Sequence, residues 1–195
     1  MFIIKDWKKD VFTIPNILSV FRLLLIPVYL GLYLKAGDDL DMHLFAAGVL
    51  GLSCLTDAVD GQIARRFNMI STLGKILDPL ADKATQFSLI LCLAGRYAVL
   101  WHVVALFLLK ELFQMVSGMI FLQKGKMLNG ALMVGKICTA VLFVSLILMV
   151  LVPTLPYSLV RGLAAVDCVF LAASFAGYFM AYYGKNAKIA DQPEK

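Results

Sequence analysis

Four aspartates in one short segment are the residues of this chain best suited to do chemistry. Asp57 and Asp60 are three residues apart, and Asp78 and Asp82 are four apart, so each pair shares one face of a helix. A short loop between the two helices makes them antiparallel neighbours, and all four carboxylates can then point into one small volume. We expect them at the cytoplasmic edge of two membrane spans, where ionisable groups are costly and usually functional.

Carboxylates packed so closely repel one another, and a bound divalent cation removes that conflict. Oxygen ligands without His or Cys favour Mg²⁺, Mn²⁺ or Ca²⁺ over zinc, and Mg²⁺ often bridges carboxylates to substrate phosphates. The small residues Gly61 and Ala64 allow a ligand to approach the helix closely, and Arg65 can contact two phosphate oxygens at once. The alternative is a set of ordinary ion pairs with neighbouring Arg and Lys side chains, but the clustering of four carboxylates favours a metal and phosphate site.

The composition indicates that membrane helices hold this segment. Of the 195 residues, 61% are hydrophobic and only 16% are charged, which is too little polar surface for a soluble domain of this length. The apolar residues gather in runs of about 20, enough for a helix to cross a bilayer. We therefore predict an all-α, polytopic membrane protein. Its six transmembrane helices are predicted at about residues 14–34, 42–66, 73–95, 98–122, 129–152 and 156–183.

Three regions follow from these spans. Residues 1–13 are predicted to form a short interfacial helix, with a plain cytosolic tail as the alternative. Residues 14–184 make the six-helix membrane domain, and residues 185–195 make a polar cytoplasmic tail that we expect to be frayed. Lys and Arg accumulate in every second loop, which predicts that both termini and the aspartates face the cytoplasm. We expect the protein to lie in the cell (inner) membrane.

Two further features limit the partners. The four cysteines fall inside apolar runs, which indicates neither a disulfide framework nor a zinc site. The net charge of +5 fits a protein that faces acidic lipid head groups, and we expect no nucleic-acid partner.

The aspartate segment resembles the signature of the CDP-alcohol phosphotransferase family, also called CDP-alcohol phosphatidyltransferases, at eight positions. These read Asp57-x2-Asp60-Gly61-x2-Ala64-Arg65-x8-Gly74-x3-Asp78-x3-Asp82. The resemblance implies a six-helix fold, a homodimer, and transfer of a phosphatidyl group from CDP-diacylglycerol to an alcohol with release of CMP.

The resemblance also implies roles for individual residues. It implies that Mg²⁺ or Mn²⁺ binds, with two ions per site, to four carboxylates: Asp57, Asp60, Asp78 and Asp82. Asp82 would in addition act as the general base. Contact with the CDP-lipid is implied for five positions: Asp60, Gly61, Ala64, Arg65 and Gly74.

The acceptor alcohol is indicated by weaker patterns. Residues 14–27 resemble the opening of the phosphatidylglycerophosphate synthase and cardiolipin synthase branch of the family. Three cations inside predicted spans could bind an acceptor phosphate: Arg22, Lys110 and Lys136. We rank glycerol 3-phosphate first and phosphatidylglycerol second, with another alcohol as a further alternative. Arg22 could instead snorkel to the interface, and Lys110 could pair loosely with Glu111, although adjacent helical residues point apart.

Other protein classes fit the sequence less well. A divalent-cation transporter should spread its carboxylates across the bilayer, whereas here they cluster at one edge. A lipid phosphatase would need a nucleophile or a His near the acids, and a degenerate family member would not keep all eight positions. We assign no site role to four remaining residues: His43, His102, Arg161 and Asp167. The last two do not share a helical face, and we expect them to serve packing or a helix boundary.

Overall fold

Six α-helices make up most of the described chain. The computed structural model describes residues 14–37, 39–66, 74–123, 126–128, 132–184 and 189–191. The helices are α1 (Ile14–Ala36), α2 (Leu40–Arg66), α3 (Gly74–Arg96), α4 (Leu100–Gln123), α5 (Met133–Leu151) and α6 (Tyr157–Tyr183). They confirm the six predicted helices, with ends that differ by a few residues. The predicted interfacial helix at residues 1–13 lies outside the described residues.

Four of these helices are long and apolar enough to cross a membrane. They comprise Asn16–Ala36, Leu100–Gln123, Met133–Leu151 and Tyr157–Tyr183. Among the described side chains of α2, Leu40–Ser53 forms a shorter apolar stretch. The fold is thus all-helical in its main elements and compatible with an integral membrane protein, while membrane crossing by α2 and α3 stays a prediction.

The first compact unit, Met1–Cys92, contains α1 packed along α2. Gly37 ends α1 with a φ of +53°, a conformation that glycine adopts without steric cost. The Asp39 carboxylate then caps α2 by accepting two backbone N–H groups at 3.0 and 3.4 Å. His43 Nε2 donates to the Gly37 carbonyl at 2.9 Å, and its ring packs edge-on against Tyr33 at 5.1 Å. His43 therefore closes the α1–α2 turn, a role that the sequence analysis did not assign.

The second compact unit, Leu93–Lys195, is organised around α6, which packs against both α4 and α5. Aromatic side chains line the α4–α6 contact. Phe113 meets Phe175 with ring centroids 4.8 Å apart, and Phe121 stacks on Tyr182 at 5.2 Å. Each such pair contributes about 0.5–1.5 kcal/mol beyond the area that it buries.

Two three-residue strands join the α4–α5 connection to the C-terminal tail. Strand β1 (Lys126–Leu128) pairs antiparallel with β2 (Ile189–Asp191). The sequence analysis expected the whole tail to be frayed, and for Ile189–Asp191 this expectation is wrong. Strands this short leave no alternating pattern to detect, and their pairing depends on α6 returning the chain to the end of α4.

A buried hydrogen bond connects α5 to α6. Ser145 Oγ lies 2.6 Å from Asp167 Oδ2, to which it can donate, and 3.0 Å from the Leu142 carbonyl oxygen. Asp167 is 1% exposed, and its Oδ1 atom has no hydrogen-bond partner among the described residues. This contact gives Asp167 the packing role expected from the sequence, whereas Arg161 lies exposed near the start of α6.

Replacing Ser145 by Ala should destabilise the second unit, because it leaves the buried Asp167 carboxyl without its partner. We expect the free energy of unfolding in detergent to fall by about 0.5–2 kcal/mol. Ser158→Ala, at an exposed position in the first turn of α6, is the control and should have little effect. In a double-mutant cycle with Asp167→Ala, a coupling of roughly 0.6 kcal/mol is expected; purely additive losses would contradict the link.

Candidate active site

The aspartate segment occupies the end of α2 and the beginning of α3. Both stretches are α-helical, so that positions 57 and 60 share one face of α2 and positions 78 and 82 share one face of α3. Side chains are not described at seven of the predicted site positions: Asp57, Asp60, Gly61, Ala64, Arg65, Gly74 and Asp78. The structure confirms the helical backbone that the spacing requires, and the roles of these seven residues stay predictions.

Asp82 is the carboxylate of the segment whose surroundings the structure describes. Arg22 Nη1 donates to Asp82 Oδ1 at 2.7 Å, with 2% of the Arg22 side chain and 50% of the Asp82 side chain exposed. Each residue lies eight positions after the first residue of its helix, or about 12 Å along the axis. The sequence analysis expected Arg22 to need an anionic partner. Asp82 is that partner, and the alternative of an Arg22 that snorkels to the interface is wrong.

A polar row on α1 accompanies this ion pair. Asn16, Ser19 and Arg22 follow one another at three-residue spacing, and all three are buried. Polar side chains buried on one face of an otherwise apolar helix favour a functional site over a contact with lipid. The sequence analysis assigned no role to Asn16 or Ser19, although their spacing within an apolar run was a detectable signal.

The ion pair with Arg22 leaves the Asp82 carboxylate able to react with a ligand. Because half of the Asp82 side chain is exposed, a substrate hydroxyl can reach it, and the buried Arg22 guanidinium holds it in place. Carboxylate oxygens are also the ligands that hard divalent cations prefer, so the four aspartates fit the metal that the sequence implies. Within the described side chains no three Asp, Glu, His or Cys groups meet, and these side chains include only one of the four aspartates.

The two lysines predicted to bind the acceptor lie in the second unit. Lys110 is buried in α4, and its Nζ atom donates to Glu111 Oε1 at 2.7 Å. The neighbour pairing that the sequence analysis left as an alternative is therefore present, because these long side chains can meet even where the Cα–Cβ bonds diverge. Lys136 is exposed in the first turn of α5. Acceptor binding by Arg22, Lys110 and Lys136 stays a prediction.

A match to a protein-family model supports the interpretation of the aspartate segment. The model of the CDP-alcohol phosphatidyltransferase family matches residues 12–177, which is most of the chain. The chain therefore belongs to this family of enzymes, whose members depend on divalent metal ions. The family resemblance stated from the eight spaced positions is confirmed.

Individual relatives bear the names of two lipid-synthesising activities. The chain is 38% identical over 139 residues to the CDP-diacylglycerol–glycerol-3-phosphate 3-phosphatidyltransferase of Aquifex aeolicus, which covers 70% of this chain and 73% of that protein. It is 33% identical over 106 residues to the enzyme of the same name from Bacillus subtilis, covering 49% and 55%. It is 45% identical over 89 residues to the cardiolipin synthase (CMP-forming) of Streptomyces coelicolor, covering 44% of this chain and 40% of that protein. The chain thus spans less than two thirds of the length of the last two relatives.

Substituting Asp82 by Asn should destabilise the first unit, because the buried Arg22 guanidinium would lose its charged partner. We expect a loss of about 1–3 kcal/mol in unfolding free energy, less than for a fully buried pair because Asp82 is half exposed. Thermal or denaturant unfolding in detergent measures it. Asp41→Asn, which neutralises an exposed carboxylate in the first turn of α2, is the matched control. Equal losses in the two variants would show that the Arg22–Asp82 pair has no stabilising role.

Proposed function

We propose that this protein is a phosphatidylglycerophosphate synthase of phospholipid biosynthesis. It would transfer a phosphatidyl group from CDP-diacylglycerol to glycerol 3-phosphate and release CMP. The observation that carries this proposal is the anchored, half-exposed Asp82 carboxylate, located in the signature segment of a family of phosphatidyltransferases. The names of the relatives support a role in phospholipid biosynthesis.

The choice of acceptor rests on how much of the chain each relative matches. The Aquifex enzyme, which is named for glycerol 3-phosphate, matches 70% of this chain, and the Streptomyces cardiolipin synthase matches 44%. The longer match favours glycerol 3-phosphate. The higher identity to the cardiolipin synthase, 45% against 38%, favours the alternative, in which phosphatidylglycerol is the acceptor.

In the proposed reaction, Asp82 accepts the proton of the acceptor hydroxyl. The oxygen of the acceptor hydroxyl forms a bond to the phosphorus that carries the diacylglycerol, and the bond from that phosphorus to the bridging oxygen breaks. CMP leaves with the bridging oxygen, and the hydroxyl proton passes to the Asp82 carboxylate. Arg22 acts as a positioning residue, since its guanidinium donates to one carboxylate oxygen at 2.7 Å.

The remaining site residues would bind the substrate and the metal. Asp57, Asp60, Asp78 and Asp82 would hold Mg²⁺ or Mn²⁺, with two ions per site. The bound metal would neutralise the negative charge of the substrate pyrophosphate. Five positions would contact the CDP-lipid: Asp60, Gly61, Ala64, Arg65 and Gly74.

The same proposal includes the membrane location, the orientation and the oligomeric state of the enzyme. We place it in the cell (inner) membrane as a homodimer, with both termini and the site at the cytoplasmic side. The distribution of Lys and Arg between alternate loops supports this orientation. Arg22 and Asp82, each about 12 Å along its helix, would then lie within reach of the cytoplasmic leaflet.

Asp82→Asn and Asp57→Asn should separate the two roles of the aspartates. We expect Asp82→Asn to bind CDP-diacylglycerol while kcat falls roughly 10²–10⁴-fold, because a general base is lost. Asp57→Asn should lose both binding and turnover, because a metal ligand is lost. CMP release and CDP-lipid binding are measured on monodisperse protein, with Asp41→Asn as the control. Full activity of either site variant would reject the role assigned to that residue.

A direct assay of the acceptor tests the function as a whole. The purified protein in detergent receives CDP-diacylglycerol and Mg²⁺, and each alcohol is offered separately while CMP release is measured. We expect release with glycerol 3-phosphate. Release with phosphatidylglycerol alone would identify a cardiolipin synthase instead. No release with any alcohol, with Mg²⁺ or Mn²⁺, would overturn the proposed function.

A further inference from the structure

A small cavity lies between the first three helices. Residues of α1, α2 and α3 line it, and about 10 Å³ within it is open to the centre of a water molecule. One water molecule therefore fits in the cavity. The cavity is about one helical turn from Asp82, because Thr85 in its wall follows Asp82 by three residues, or about 4.5 Å along α3.

Four of the residues that line the cavity carry hydroxyl groups. They are Tyr29 of α1, Ser53 of α2, and Thr85 and Ser88 of α3. Tyr29, Ser53 and Thr85 are each at most 5% exposed, so that neither lipid nor bulk water reaches most of their surface. The other lining residues are Leu, Ile and Val, whose side chains form no hydrogen bonds. Hydroxyl groups from three helices are thus gathered around one small space.

The Tyr29 hydroxyl oxygen has no hydrogen-bond partner among the described residues, although only 4% of Tyr29 is exposed. A buried hydroxyl without a partner is costly, because it has given up its hydrogen bonds to water. Most buried polar groups in proteins avoid this cost by bonding to the protein or to an ordered water. Since Tyr29 lines the cavity, a water molecule bound there can serve as its partner.

The two hydroxyl groups of α3 already donate their protons within the helix. Thr85 Oγ1 donates to the Ala81 carbonyl oxygen at 2.9 Å, and Ser88 Oγ donates to the Ala84 carbonyl oxygen at 2.7 Å. A hydroxyl has a single proton, so both oxygens act only as acceptors towards the cavity. The Tyr29 hydroxyl keeps its proton and can donate it. The wall therefore offers one donor and two acceptors, which match a water molecule that accepts one hydrogen bond and donates two.

We propose that this cavity binds one water molecule, which joins α1 to α2 and α3. The water accepts a hydrogen bond from the Tyr29 hydroxyl and donates to Thr85 Oγ1 and Ser88 Oγ. The Ser53 hydroxyl, which can rotate to donate or to accept, supplies a fourth partner from α2. Two to four hydrogen bonds are typical of a buried water in a protein. The water site does not depend on the reaction proposed above.

The water holds together the helices that carry the candidate active site. Arg22 lies on α1, Asp57 and Asp60 lie on α2, and Asp78 and Asp82 lie on α3. Helices in a membrane are joined by close packing and by hydrogen bonds between them, because lipid is as apolar as their side chains. A bound water adds such hydrogen bonds without placing a charge in the apolar interior.

Two conservative variants each remove one partner of the water. Tyr29→Phe deletes the donating hydroxyl, and Thr85→Val replaces an accepting hydroxyl by a methyl group of similar size. In a dry cavity, Tyr29→Phe would remove an unsatisfied polar group and would stabilise the protein. Thr85→Val would then be neutral or stabilising, because the hydroxyl would bond only to a helix carbonyl. The direction of each effect therefore distinguishes a bound water from a dry cavity.

Matched controls exist on the helices of the second unit. Thr139→Val removes a hydroxyl that donates to the Gly135 carbonyl oxygen at 3.0 Å, the same contact with the preceding turn that Thr85 makes. Tyr157→Phe removes a hydroxyl from an exposed ring at the start of α6. Neither residue lines the cavity.

Unfolding in detergent measures the contribution of the water. We expect Tyr29→Phe and Thr85→Val each to raise the equilibrium constant for unfolding roughly 3- to 10-fold, the effect of a lost buried hydrogen bond. Thr139→Val and Tyr157→Phe should change it less than about twofold. The double variant at positions 29 and 85 should lose less than the sum of the two single losses, because both act on the same water. A Tyr29→Phe protein as stable as the wild type, or more stable, would overturn the site.

A high-resolution experimental structure of the full chain locates the water directly. We expect density for one water within about 3.2 Å of Tyr29 Oη and of Thr85 Oγ1 in the wild type, and its loss in Tyr29→Phe. A cavity without such density overturns the proposal, and so does a direct hydrogen bond from the Tyr29 hydroxyl to another residue, even if both variants lose stability.

Discussion

The ion pair between Arg22 and Asp82 joins α1 to α3 within the first unit. A guanidinium inside an apolar helix is costly unless it meets an anion, and Arg22 is almost completely buried. Its partner must therefore stand at the same depth on another helix. α1 and α3 satisfy this condition, since Arg22 Nη1 lies 2.7 Å from Asp82 Oδ1. The same pair leaves Asp82 half exposed, so that one contact both fixes the helices and presents a carboxylate to a ligand.

In the second unit, two buried polar side chains are paired with close neighbours. Lys110 is held by the adjacent Glu111, and Asp167 is held by Ser145 on the next helix. Between these contacts the helices are joined by aromatic side chains of α4 and α6, which pack by shape and need no charge. Among the described residues of this unit, Gln114 Oε1, Asp167 Oδ1 and Ser174 Oγ are buried without a hydrogen-bond partner.

The chemistry of the first unit agrees with the family to which the chain belongs. The first unit presents the half-exposed Asp82 carboxylate, which the buried Arg22 guanidinium holds in place and which suits the transfer of a proton. Membership of the CDP-alcohol phosphatidyltransferase family agrees with an acidic side chain that is accessible to a ligand.

The sequence by itself determined the helices, the family and the positions of the four aspartates. Apolar runs set the helices because a backbone in lipid must satisfy its own hydrogen bonds, and the spacing of the aspartates follows directly from the helical repeat. Only the tertiary structure decided which groups meet. Arg22 and Asp82 are far apart in the chain, as are Gly135 and Tyr178, and the pairing of β1 with β2 has no local pattern. Such contacts depend on how each helix is rotated about its axis and shifted along its neighbours. The packing of many side chains together sets this arrangement, so no repeating pattern within a single segment predicts it.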